Sequence, residues 1–369
     1  MNAVREAAAR RRAVLDSADL VELTRALVGV PSVSGSEGAL ADLVERRLRT
    51  RAPWLRLYRT GNNIVARTEP APAERRRVVL AGHLDTVPMS DRQAPAPDAP
   101  GSVSGLGAVD MKGGVAVMLA LAEQEPGEGQ GRTFVFYDRE ETGSHGSGMR
   151  VLFEEHRSLV DGDLAVLLEP TNGLVEAGCQ GNLVVELTFT GSRAHTARPW
   201  KGLNAIHKAA PALHRIAGFT PGTATIDGLE YRQSMSVVAV EGGVQGNVVP
   251  DHCVLRVNYR HSPDVDSGAA ERLVLGLAPE ADAARVRLAS PPAPPDLGNP
   301  LMAGLCAAAS TEVRPKLGWT DVGRFAAHGI PAVNFGPGDS QLAHTPFEVV
   351  GRAELEACHT ALSAFLRSL

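Results

Sequence analysis

An α/β domain with helices on both faces of a mixed sheet, interrupted by a smaller inserted domain, is the architecture this sequence predicts. Three observations lead there. The 369 residues are enough for about two domains, each with its own core. Apolar runs of strand length end abruptly in polar residues and alternate with helical patterns, as in a sheet covered on both faces. Between residues 179 and 293 the rhythm changes to β-α-β-β-α-β, the order of a small ferredoxin-like domain.

In chain order, MNAVREAAARRRAV lacks the apolar core of a secretion signal and reads as an ordinary leading helix. The next helix is expected over 16–30, with Asp16, Ser17 and Asp19 near its start as capping candidates. Another follows at GALADLVERRLRTR (38–51). Strands are expected at RVVLAGH (77–83), TFVFYD (133–138), LAVLLEP (164–170) and PAVNFGPG (331–338). Helical cover comes from KGGVAVMLALAEQ (112–124) and GLCAAAS (304–310). In the middle, VVELTFTG (184–191), SMSVVAVEGG (234–243), HCVLRVNYR (252–260) and ARVRLAS (284–290) read as strands. NAIHKAAPALHRIAG (204–218) and SGAAERLVLGLA (267–278) read as the helices between them, and SPPAPPDLGNP (290–300) as a stiff linker leading out. The expected division is one domain from 1–178 and 294–369, split by an insertion over 179–293.

Composition narrows the function. A net charge of -5 and a pI near 6.1 argue against nucleic acid as a partner. The arginine-rich runs ERRLRTR (45–51) and ERRR (74–77) read as solvated faces. Cys179, Cys253, Cys306 and Cys358 lie far apart and form no CxxC pair, which fits reduced thiols in a cytoplasmic protein. No apolar run reaches the length of a membrane span. The chain has no GxSxG, no GxxxxGK[ST] and no HExxH; GLGAVD begins like a dinucleotide fingerprint, but Asp110 occupies its third glycine position and would repel a pyrophosphate.

The polar strand ends carry the chemistry, because open α/β sheets gather ligands at the carboxyl ends of their strands. HLDTVP places His83 and Asp85 there, YDREETG places Asp138, Glu140 and Glu141, LLEPT places Glu169, and GPGDSQLAH leads to His344. GLGAVDMKGG sets Asp110 in a glycine-rich turn before a helix. Singly, each has a bland alternative: an HxD occurs by chance, Asp110 could cap its helix, the two glutamates could face solvent, and His344 could be a surface histidine. Together they form a donor set suited to zinc or a similar borderline metal. Two histidines with three or four carboxylates exceed one closed zinc shell, so two ions bridged by a carboxylate are expected, with a nucleophile generated near neutral pH. Neighbours in extended chain point in opposite directions. One of Glu140 and Glu141 is therefore expected to bind metal while the other faces water as general base.

HLDTVP, GLGAVDMKGG, the glutamate pair, LLEPT and AHTPFE, in that order across nearly the whole chain, resemble the dinuclear zinc aminoacylase and carboxypeptidase-like amidohydrolases. The resemblance implies a zinc-peptidase-like catalytic domain with an inserted ferredoxin-like dimerisation domain. It implies two Zn2+, with Co2+ or Mn2+ as substitutes, and a homodimer acting on a small N-acyl amino acid. By motif, His83 and Glu169 hold one zinc, Glu141 and His344 the other, and Asp110 bridges them. Glu140 is the general base and later proton donor, and Asp85 orients His83. His195 resembles the histidine that reaches the partner subunit's site and binds the developing oxyanion, and Asn247 and Arg260 resemble residues that hold substrate carboxylates. GCQGNLVVEL, GSRAHTARPWKGLNAI, GGVQGNVVPDHCVLRVNYR and GWTDVGRF favour members that cleave N-succinyl-LL-2,6-diaminopimelate in lysine and cell-wall precursor synthesis. The alternatives are deacylation of another N-acyl amino acid such as acetylornithine, cleavage of a small peptide, or non-catalytic binding of an amino-acid derivative. Two departures touch specificity. Arg139 stands where an acid is common, and GWTDVGRF, with the substrate-contact candidates Thr320 and Arg324, is one residue longer than the GTSDGRF form.

Overall fold

The computed structural model describes residues 12–69, 76–88, 99–127, 129–143 and 146–369. The leading segment 1–11 and residues 74–75 of the second arginine-rich run lie outside the described residues. The chain divides into two compact units: Met1–Ala177 with Asp296–Arg314 and His328–Leu369, and Gly178–Pro295 with Pro315–Ala327. The GWTDVGRF segment thus groups with the insertion.

The first unit is built on an eight-stranded sheet in the order Arg56–Thr60, Asn63–Arg67, Gly131–Tyr137, Arg77–His83, Leu164–Leu167, Ala332–Asn334, Val175–Ala177 and Val313–Pro315. Its centre is parallel, from Gly131–Tyr137 through Ala332–Asn334, and its flanks include antiparallel pairs, so the sheet is mixed as expected. Central strands without alternation are buried along their whole length, which is what a sheet covered on both faces requires. The helices Leu20–Val28, Gly38–Arg51, Gly113–Ala122, Pro300–Ala309 and Arg352–Arg367 contribute to one continuous core with these strands. Asp19 alone of the three capping candidates closes the first of them, its Oδ1 accepting from the N–H of Val21 and of Glu22 at 3.0 Å each.

Elements that the sequence pattern does not reveal include the hairpin Arg56–Thr60/Asn63–Arg67, short and rich in arginine, the helix Gly148–Glu155, and the C-terminal helix Arg352–Arg367, although Leu355, Cys358, Leu362 and Phe365 give the last a helical apolar stripe. Among the described residues no helix is long and apolar enough to cross a membrane.

The second unit has the β-α-β-β-α-β order: Gly181–Thr190, Ala205–Ala217, Ser234–Gly242, His252–His261, Ser267–Gly276 and Ala283–Ser290. Its four strands pair antiparallel with Ser234–Gly242 and Ala283–Ser290 at the edges. Strict alternation along Gly181–Thr190 and His252–His261 turns Leu183, Val185, Leu187, Leu255 and Val257 onto both helices and leaves a mostly polar opposite face with Glu186, Arg256, Asn258 and Arg260. The hairpin Thr223–Ile226/Leu229–Arg232 is an addition that the sequence pattern did not reveal.

Close main-chain contacts fix the strand end that carries Glu169. A Cβ on Gly114, at the start of the helix Gly113–Ala122, would lie 2.3 Å from the Leu168 carbonyl oxygen. One on Gly336 would lie 2.3 Å from the Glu169 carbonyl oxygen and 2.5 Å from that of Leu168. Only glycine lets these two segments rest on the backbone of residues 168–169. Gly336→Ala is therefore expected to cost about 1–3 kcal/mol through forced displacement, read as a lowered Tm in calorimetry; an unchanged Tm would contradict the contact.

Candidate metal centre

His83 ends the strand Arg77–His83 and is almost fully buried. Its Nδ1 lies 3.0 Å from the main-chain oxygen of Asp85 and donates to it, which directs Nε2 at Asp110 Oδ1, 3.0 Å away. The Asp85 carboxylate, expected to orient His83, is 3.5 Å from that Nδ1. It has closer partners. Ser34 Oγ donates to it at 2.6 Å, and the main-chain N–H groups of Glu140 and Glu141 donate at 3.0 and 3.1 Å. Asp85 thus ties the end of one strand to the acidic loop that follows the next.

That loop corrects one expectation. Residues 140–143 are not extended chain: Arg139 has a left-handed φ of 56°, and Gly143 N–H donates to Glu140 O at 3.1 Å, closing a turn. A turn held by Asp85 through both N–H groups, and not strand alternation, sets the backbone that carries the two glutamates.

Asp110 lies in the short π-type turn Ala108–Lys112 that enters the helix Gly113–Ala122. It does not cap that helix, whose start has no side-chain cap. Its carboxylate instead spans two imidazoles, with Oδ1 on His83 Nε2 and Oδ2 3.3 Å from His344 Nε2. His344 Nε2 is also 2.8 Å from Glu141 Oε1. Two groups result, His83–Asp110–Glu169 and Asp110–Glu141–His344, each with ligand atoms within 4.8 Å of one another and Asp110 common to both. Glu140 belongs to neither. The first group is the more buried; the side chain of His344 remains 49% exposed.

The electrostatics of this cluster demand positive charge. Burial disfavours a charged imidazole at His83, yet the carboxylates of Asp110 and Asp85 outweigh it and hold its pKa well above the ordinary value. Asp110 and Glu141 push His344 up to about 10. Burial opposes ionisation of Asp110, but hydrogen bonds from His344 and His83 hold it far below the usual carboxylate range. Carboxylates and imidazoles at this spacing are hard and borderline donors, and the set fits divalent cations such as zinc.

The sequence reading missed Ser34 and Glu348. Glu348 is buried and accepts from the main-chain N–H of Val109 (3.1 Å), Asp110 (3.3 Å) and His344 (3.3 Å). It ended the quoted AHTPFE motif, so its signal was present, but nothing in the motif distinguishes a structural acid from a ligand.

The remaining candidates lie in the second unit. His195 pairs with Val248 in a two-residue bridge, and Thr196 N–H donates to Asn247 O at 3.1 Å, so His195 and Asn247 share one exposed corner. The Ala197 N–H donates to His195 Nδ1 at 3.0 Å, which leaves Nε2 to carry the proton of the neutral ring. Arg260 sits on His252–His261 opposite Asn182 and Ser234, and among the described residues no carboxylate pairs with its guanidinium; burial pushes its pKa down. Thr320 is buried and its carbonyl accepts from Gly323 N–H at 3.0 Å. Arg324 donates from Nε to the buried Asp321 at 2.7 Å, with its guanidinium carbon 5.8 Å from the Trp319 ring centre.

The model of peptidase family M20/M25/M40 matches residues 79–368. The chain belongs to that family. The motifs from HLDTVP through AHTPFE all fall within the matched residues, so the resemblance read from them holds. A provisionally named succinyl-diaminopimelate desuccinylase of Mycobacterium tuberculosis is 44% identical over 94% of this chain and 98% of its own. The succinyl-diaminopimelate desuccinylase of Corynebacterium glutamicum is 41% identical over 88% and 90%. Among solved structures of the same fold, a tripeptidase from Staphylococcus aureus superposes with a TM-score of 0.78 at 20% identity, covering 96% of this chain and 99% of its own. A dinuclear metal-binding peptidase of family M20 from Bacillus subtilis gives 0.67 at 16% identity, covering 95% and 97%.

If Asp85 holds the acidic loop in place for the family's metal ligands, Asp85→Ala is expected to weaken metal affinity by about tenfold to a hundredfold. Competition with a chromogenic chelator measures this, and a change below about twofold would refute the clamp.

Proposed function

We propose that this chain is a zinc-dependent amidohydrolase that cleaves N-succinyl-LL-2,6-diaminopimelate to succinate and LL-2,6-diaminopimelate, serving lysine and cell-wall precursor synthesis. One observation carries the chemistry: two donor groups share Asp110, with Glu140 on the same loop as Glu141 but outside both. The substrate reading is supported by the 41–44% identity to desuccinylases over most of both chains. Metal dependence is supported by the donor set and by the dinuclear relative.

His83 and Glu169 would hold one Zn2+, Glu141 and His344 the other, with Asp110 between; Co2+ or Mn2+ would substitute. Divalent cations there supply Lewis acidity and make water acidic enough to attack near neutral pH. Glu140 takes the proton of the attacking water and passes it to the departing amine nitrogen, so that amide and water become acid and amine. His195, with its proton on Nε2, donates to the oxygen that gains charge as the carbonyl is attacked. Asn247 and Arg260 bind substrate carboxylates, Arg260 through a guanidinium that no protein carboxylate neutralises among the described residues. Thr320 and Arg324 are further candidates for substrate contact.

The inserted domain, over 179–293, is the dimerisation domain in this reading. The edge strand Ser234–Gly242, with Val238 and Val240 more than half exposed, offers unpaired backbone to a second copy. A cytoplasmic setting is favoured by four free cysteines.

Purified, zinc-loaded protein assayed on N-succinyl-LL-diaminopimelate, N-acetylornithine and a dipeptide tests the reading. Turnover of the succinyl substrate alone is expected, and preference for either other substrate would overturn the assignment while keeping the chemistry. Glu140→Ala should bind metal as the parent does yet lose about 10²–10⁴-fold in kcat. Full activity in that variant would remove Glu140 as the base. Prolonged chelation should abolish turnover and lower Tm, since the two histidines then offset only part of the repulsion among the carboxylates of Asp110, Glu141 and Glu169; added Zn2+ should restore both. A chelated protein of unchanged Tm would count against cations at this cluster.

A further inference from the structure

Three loops carry Asp110, Glu141 and His344, and two of them share one anchor. Asp110 lies in the turn 108–112 and His344 in the loop 336–348, more than two hundred residues apart in sequence. Neither loop belongs to the sheet. Glu348 joins them: Oε2 accepts from the N–H of Val109 and Asp110, and Oε1 from the N–H of His344. Its own carbonyl accepts from Gly105 N–H at 3.1 Å, at the start of the first loop. The following strand, Val349–Gly351, pairs with Ser102–Ser104 and extends the same attachment. Lys112, buried, donates to the Val30 carbonyl at 2.8 Å and fixes the far end of the turn to the helical layer.

A carboxylate that holds three main-chain N–H groups has little capacity left for a cation, and Glu348 is buried from solvent. What it sets is the spacing between Asp110 and His344, the pair through which the second donor group closes. The first group takes His83 and Glu169 from strand ends and depends on Glu348 only through Asp110. We propose that Glu348 is a positioning residue that locks the Asp110 turn to the His344 loop and thereby sets the geometry and affinity of the Asp110–Glu141–His344 metal position more strongly than that of its neighbour. The inference rests on the metal reading above and not on the identity of the substrate.

The test compares the parent with Glu348→Gln and Glu348→Asp, each stripped and reloaded with Co2+. Glu348→Gln keeps the volume but turns an N–H donor group toward N–H donors. Glu348→Asp keeps the charge but is too short to reach both loops. Both are expected to bind the first equivalent of Co2+ within about threefold of the parent and the second about tenfold to a hundredfold more weakly. The visible d–d bands of the second equivalent should shift, while the folded apo protein keeps its far-ultraviolet circular dichroism. A merely structural anchor would lower Tm and leave the stepwise affinities and the spectrum unchanged, and that result would overturn the proposal. Equal weakening of both equivalents would also overturn it. If Glu348→Gln fails to fold, the Glu348→Asp titration decides. Failure of the parent itself to bind Co2+ would instead refute the metal reading on which the inference stands.

Discussion

Concentrated negative charge at the carboxyl ends of parallel strands is the constraint around which this molecule is organised. Asp85, Asp110, Glu141, Glu169 and Glu348 are all wholly or largely withdrawn from water within one hydrogen-bonded neighbourhood. Desolvating a carboxylate is costly unless hydrogen bonds or opposite charges replace the lost water. The two histidines answer part of that demand, which is why both are pulled toward their charged forms. Divalent cations answer it more fully, and family membership gives that interpretation its footing.

The fold meets the geometric half of the problem with strands that are buried throughout. His83 and Glu169 can be placed by the sheet because the strands Arg77–His83 and Leu164–Leu167 are parallel neighbours with a fixed register. The layers on either side then need close approach at the strand end, which is where Gly114 and Gly336 rest against residues 168–169. Asp110, Glu141 and His344 lie beyond the sheet on turns. Their positions depend on single carboxylates bonded to main-chain N–H groups across long stretches of sequence.

This division explains what was legible in the sequence. Continuous apolar runs ending in His83, Tyr137 and Leu167 announced strands because they are short for a buried helix and stop abruptly at polar residues. The alternation of residues 184–190 and 252–260 announced the other sheet for the converse reason, one wet face. The six residues of the two donor groups and the general-base candidate could be named because their chemistry is unusual at strand ends and because their motifs match a family. The hairpin at 56–67 was not legible, since five-residue strands rich in arginine carry no clear period. The turn at 140–143 differs from the extended chain expected because its cause, the grip of Asp85 just past a strand end and 55 residues earlier, is a tertiary bond that no local pattern records.

Clamps and ligands use the same side chain, so composition alone cannot separate them. The distinction is in what each oxygen faces. Asp85 and Glu348 point at main-chain N–H groups, which cannot leave and carry only partial charge; such a carboxylate is satisfied inside the protein. Asp110 and Glu141 point at imidazoles, whose ring nitrogens can carry a proton or bind a metal. A buried acid bonded to backbone amides therefore shapes a site, whereas one bonded to neutralisable bases is available to a cation. By that criterion the HxD aspartate and the last glutamate of AHTPFE belong to the scaffold, although they lie within three residues of ligand candidates in sequence or within hydrogen-bond distance in space. The chemistry of the site then rests on a small set of exchangeable contacts held by a larger set of permanent ones.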